Sequence, residues 1–127
     1  MNSKAVLRNS MITFALGAGL ALSTLLFAAD EKAPAAQTKT IKGEIVDLMC
    51  YLDHAASGEK HKGCATRCIK AGGPVGLLSG DDLYLVVGDH QPMNEELAPK
   101  AAQTVTLKGK VVERHGMKMI ANAQLVD

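Results

Sequence analysis

The chain has 127 residues, enough for one domain, with 14 Lys and Arg against 13 Asp and Glu and a formal net charge of +1. It carries two Tyr, two Phe and no Trp. Near-neutral charge and scarce aromatics deprive it of both the phosphate-neutralising surface and the base-stacking platforms of nucleic-acid binders, so no nucleic acid is expected as a partner.

Lys4 and Arg8 precede an apolar run, Met11 to Phe27, and the small residues Ala28 and Ala29 follow it. A basic start, an apolar stretch and small residues at its end are the parts of a secretory signal peptide. Residues 1–29 are therefore expected to be cleaved and the remainder exported, to the periplasm or beyond. The peptidase site is imperfect, with Leu26 or Phe27 at its −3 position, and no cysteine stands near it to carry a lipid. The run also approaches the about 20 apolar residues that cross a bilayer, so the alternative is an uncleaved membrane anchor. Cleavage removes Lys4 and Arg8, which lowers the basic count from 14 to 12 and takes the net charge from +1 to −1. It also removes both Phe, leaving a core of Val, Ile, Leu, Met and Ala. Residues 30–37, DEKAPAAQ, are polar and Ala/Pro-rich and read as a flexible lead-in to a domain over 38–127.

From Thr38 to Leu48 apolar and polar residues alternate, with Ile41, Gly43 and Ile45 on one face, which predicts a strand. Gly43 inside it marks a bend or a close backbone approach. Pro74–Leu78 and Leu83–Val87 are short apolar runs separated by the turn signal Ser79–Asp82, a predicted hairpin. Met93–Lys100 predicts a short helix that Pro99 helps to end. Gln103–Arg114 alternates again, and His115-Gly116 turns the chain into a last strand over Met117–Val126. Five strands with a helix between the third and fourth predict a mainly β, small OB-like barrel. An open sandwich of the same strands is the alternative. Met117 and Met119 share one face of the last strand; alternate Met in a strand is core by habit, although His115 beside them and the pair His90 and Met93 are also copper-type donors.

Residues 50–76 interrupt this framework between the first two strands and contain all three cysteines, with His54 and His61. The local signature is H-x2-C-x3-C at His61, Cys64 and Cys68, with Cys50 upstream. Cys64–Lys70 has no internal Gly or Pro and is followed by Gly72-Gly73, which predicts a helical turn with a glycine stop. On a helix Cys64 and Cys68 stand at i and i+4 and point the same way. His61 lies just ahead of them, and Cys50 is expected to close the first strand and approach from the barrel rim. Cys50, His61, Cys64 and Cys68 together make the Cys3His donor set of a tetrahedral zinc site, and the thiolates equally suit Cu(I), so one zinc or copper ion is expected. His54 is expected to be an exposed polar residue. The competing reading is a structural disulfide from Cys50 to Cys64 or Cys68, which leaves an odd thiol in an exported protein.

The arrangement C-Y, then H-x2-C-A-x2-C, then G-x-P-x-G is carried by Cys50-Tyr51, His61, Cys64-Ala65, Cys68, and Gly73, Val75 and Gly76 around Pro74. Held between barrel-like strands, it resembles small exported bacterial OB-fold-like proteins of unassigned function. The resemblance spans residues 38 to 126 and implies the fold and the compartment, and no activity. The chain has no C-x-x-C-H haem attachment, no C-x-x-C redox pair, no P-loop and no dinucleotide fingerprint. Three functions follow in order: a non-enzymatic metal-binding domain with zinc held structurally or copper as cargo, a thiol–disulfide or redox-sensing protein attacking through Cys64 or Cys68, and an interaction module stapled by a disulfide. The partners expected are the metal ion and another exported or membrane protein, with the membrane itself involved only if the N-terminal segment is uncleaved.

Overall fold

Alternation ends where the first strand ends: β1 runs from Gln37 to Asp47, one residue short of the predicted limit, and the chain then turns into a helix. The computed structural model describes residues 36–126. The expected signal peptide and residues 30–35 of the lead-in lie outside the described residues. None of the described helices is long and apolar enough to cross a membrane.

The other strands are β2 (Val75–Ser79), β3 (Asp82–Val86), β4 (Thr104–Arg114) and β5 (Met117–Val126). They close into a barrel in the order β1-β2-β3-β5-β4, with β4 pairing back to β1 along Gln37–Glu44. All neighbours are antiparallel except β3 and β5, which run parallel. The architecture is the mainly β, five-stranded class expected, and closure removes the open sandwich. The predicted hairpin is present, with Ser79 paired to Asp82, and the His115-Gly116 turn has positive φ at both residues, as a two-residue loop of the primed kind requires.

Closure of so small a barrel needs places where strands approach closely. A Cβ on Gly43 would lie 2.5 Å from the Leu78 carbonyl oxygen, and one on Gly109 2.6 Å from the Ile120 side chain. Both glycines therefore mark close approaches, which for Gly43 is one of the two roles the strand pattern allowed.

The interior is aliphatic, with Ile45, Leu77, Leu107 and Ile120 of the strands fully buried and Tyr84 as its aromatic member. Between β3 and β4 a short helix, α3 (Asn94–Leu97), runs into a 3-10 turn at Ala98–Lys100 and adds Leu97, Ala98 and Ala101 to the same core. Met93 is buried there too, so it is a packing residue and not a partner for the exposed His90. The other methionines depart from expectation. Met117 is 69 % exposed and Met119 half-buried, because Ile120 takes the inward position. A register shift between Lys108 and Lys110, with Asn122 at φ 51, then resets which residues face inward, so that Ala123 and Leu125 follow Ile120.

Candidate metal centre

The insertion between β1 and β2 contains two helices, α1 (Leu48–His54) and α2 (Lys62–Lys70), joined through a 3-10 turn at Glu59–His61. Cys50 does not close a strand, as its sequence context suggested. It lies in the first turn of α1, because Asp47 is an N-cap: its backbone is extended (φ −76, ψ 117) and its Oδ2 accepts the Cys50 N–H at 3.1 Å. The α1 helix stops at Ala55, which takes φ 54 and donates its N–H to the Tyr51 carbonyl at 2.8 Å.

Cys64 and Cys68 occupy successive turns of α2, as predicted, and the helix is anchored by the adjacent stripe of Ala65 and Ile69, both in the barrel core. Beyond α2 the chain folds tightly back to β2, with Gly73 donating to the Cys68 carbonyl at 2.9 Å. A Cβ on Gly73 would lie 2.8 Å from that carbonyl oxygen and 2.9 Å from Asp47 Oδ1. The absence of a side chain here lets the end of α2 meet the end of β1, and so brings the helix of Cys68 to the helix of Cys50. Asn94 of α3 locks the junction from the other side, donating through Nδ2 to the Ile69 carbonyl at 2.6 Å and the Gly73 carbonyl at 2.7 Å.

The result is a triad. The three sulfurs all lie within 4.8 Å of one another, with Cys50 and Cys68 half-buried and Cys64 exposed. All three are free thiols, with no disulfide among them. His61 is at the start of α2 and half-buried, outside that sulfur group. Its ring is tilted by 58° against that of His54, with centroids 6.2 Å apart. His54 is exposed, and its Nδ1 lies 3.1 Å from Asp53 Oδ2.

Around the thiols the electrostatics have one sign. A hydrogen bond to the Asp47 carboxylate, then burial, then the negative charge of Asp47 and the neighbouring sulfurs push the Cys50 thiol up to about 12. Burial raises Cys68 as well, aided by a hydrogen bond that its thiol donates to Cys64 and by the charges of Cys64 and Asp47, against a smaller opposing bond that it accepts from Cys50. Without an ion these two sulfurs keep their protons at neutral pH. A thiophilic cation is the species that offsets three thiolates so closely placed, and the triad can hold one metal ion.

Asp47 was not singled out from the sequence. The signal was present, since an Asp ahead of the apolar stretch Leu48–Leu52 is a helix N-cap signature. It was hidden because Leu48-Met49 prolongs the apolar character of β1.

Outside the triad, an apolar groove of about 600 Å³ runs between α1 and the β3–β5 pair, lined by Met49, Leu52, Leu83, Leu85 and Met117 among others. The exposed His115 is on its rim. Comparison with family models, with curated proteins and with solved structures returned no match.

Proposed function

We propose that the chain is an exported, non-enzymatic metal-binding domain in which Cys50, Cys64 and Cys68 ligate one zinc or copper ion and His61 supplies a fourth donor. The observation that carries this reading is the convergence of three free sulfurs, drawn from two helices, to within 4.8 Å. His61 is the candidate for the fourth position because it stands at the N-cap of α2, three residues ahead of Cys64 and half-buried, from where its imidazole would have to turn towards the sulfurs. A closed zinc site takes four such ligands. The exposed Cys64 leaves an ion reachable from solvent, which suits exchange as well as structure.

A thiol–disulfide activity fits less well. The attacking species in that chemistry is a thiolate, and of the two attackers the sequence offers, Cys68 is pushed towards the neutral thiol. Export gives the odd thiol count a meaning, because an oxidising compartment pairs unprotected thiols and a bound ion protects all three.

Elemental analysis of the tag-free mature protein tests the reading directly. One zinc or copper per chain is expected, lost in Cys64→Ser and weakened in His61→Ala. Metal-free protein with two of its three cysteines oxidised would overturn it.

A further inference from the structure

Asp47 is the buried charged side chain of the described residues, 1 % exposed. One of its oxygens, Oδ2, holds the Cys50 amide, while Oδ1 is buried with no hydrogen-bond partner. The ion pairs among the described residues use Asp53, Glu59 and Asp82, and none reaches Asp47. A carboxylate taken out of water without a cation is costly, and a protein keeps one where a positive charge will meet it. Geometry places it between the two thiol-bearing helices: Oδ2 holds the first turn of α1, which carries Cys50, and Oδ1 faces Gly73, whose amide bonds the Cys68 carbonyl at the end of α2.

We propose that Asp47 is a positioning residue of the metal site, and that its buried negative charge fits the triad to a divalent thiophilic ion in preference to a monovalent one. The inference rests on the metal-binding reading above. Two properties of the side chain carry it. The first is placement: Cys50 is the one thiol not on α2, and the Asp47 cap fixes the turn of α1 that presents it. The second is charge. Three thiolates around a monovalent ion leave two negative charges, around a divalent ion one, and Asp47 adds a further negative charge beside them in a partly dry site. Each added unit of positive charge on the ion gains attraction to the carboxylate, enough at close range for a preference on the order of tenfold to a hundredfold.

The test titrates the mature protein and its variants with Co²⁺, read by cobalt–thiolate charge-transfer absorption, and with Ag⁺ as the monovalent soft ion. Circular dichroism monitors the fold. Asp47→Asn keeps a capping oxygen and removes the charge. It is expected to weaken Co²⁺ by about tenfold or more while moving Ag⁺ by less than about threefold. Asp47→Ala removes cap and charge together, and is expected to lose part of the charge-transfer intensity as Cys50 leaves the cobalt. Asp47→Ser retains a capping hydroxyl and carries the expectation of the Asn variant, should that variant fail to fold. An unchanged ratio of Co²⁺ to Ag⁺ affinity in the charge-neutral variants overturns the inference and leaves the metal-binding reading standing. A wild-type protein that binds neither ion overturns both.

Discussion

Among the described residues, 13 of the 17 buried apolar side chains belong to the barrel strands and the β3–β4 connection, whereas Leu48–Pro74 contributes only Leu48, Ala56, Ala65 and Ile69. The barrel is thus held by non-directional burial and closed ladders of backbone hydrogen bonds. The insertion depends on particular polar contacts: the Asp47 cap, the Glu44 carboxylate accepting the Gly58 N–H at 2.5 Å, and the two Asn94 bonds. Burial tolerates small displacements, while caps and bridging amides fix positions. The comparison teaches that burial dominates the framework, while the site-bearing segment, anchored to the same core by Ala65 and Ile69, is completed by a few directional groups, to which a bound ion would add.

The largest expected effect breaks the first side of this comparison. Leu107→Ala opens a cavity in the fully buried interior and is expected to cost about 2–5 kcal/mol in denaturant unfolding, with barrel and insertion lost together. Next comes the ion. At a free concentration a hundredfold above its Kd it should stabilise the wild type by about 2.7 kcal/mol, and Cys64→Ser should show no such gain. Hydrogen exchange should place the new protection in α1 and α2, and protection confined to the barrel would contradict the division drawn here.

That stabilisation should depend on pH with a definite sign. An ion must displace the protons that Cys50 and Cys68 retain, so affinity is expected to rise with pH, by about tenfold per unit for each proton displaced. In the ion-free protein the trend reverses. The fold favours the protonated Cys50 thiol, so its contribution is complete below the ordinary thiol value of 9.0 and is lost as pH climbs towards about 12. Cys50→Ser should flatten both trends in calorimetric titrations and unfolding curves.

Smaller effects sharpen the comparison. Asn94→Ala removes two hydrogen bonds at the junction of α2 with β2 and is expected to cost about 1–3 kcal/mol, with a larger fractional loss of metal affinity than Leu107→Ala produces under conditions where both are folded. The smallest belongs to the barrel surface. Lys118 pairs with Asp82, which also accepts from the Tyr84 hydroxyl at 3.1 Å, across the parallel β3–β5 pairing. Lys118 holds the Asp82 carboxyl below its usual range, so this contribution is present above the ordinary carboxylate value and lost as pH falls through the lowered one. Lys118→Met should lower the thermal midpoint slightly, reduce that acid-side loss to the part that the Tyr84 hydroxyl bond sustains, and leave metal affinity unchanged.

Strand patterns were legible because a half-buried strand writes its burial into every second residue. β1, β4, both hairpin turns and the helix before β4 could be read from the residues that form them. The outward methionines could not, since the shift opposite Gly109 that decides which side of β5 faces inward depends on how β4 and β5 pair. Within the site, Cys64 and Cys68 share a helix face by spacing alone. Cys50 had to be brought to them by a change from strand to helix and by the junction at Gly73, neither of which a local periodicity reports.

Sequence by itself therefore determined the class of fold, the thiol donors and the helix that aligns two of them, because those properties are set by local period and residue chemistry. Tertiary structure alone decided that the three sulfurs meet, and that they meet beside a buried carboxylate. Asp47 is 26 residues from Gly73, and only the folding of β1 against β2 brings the two into contact and with them the ends of α1 and α2.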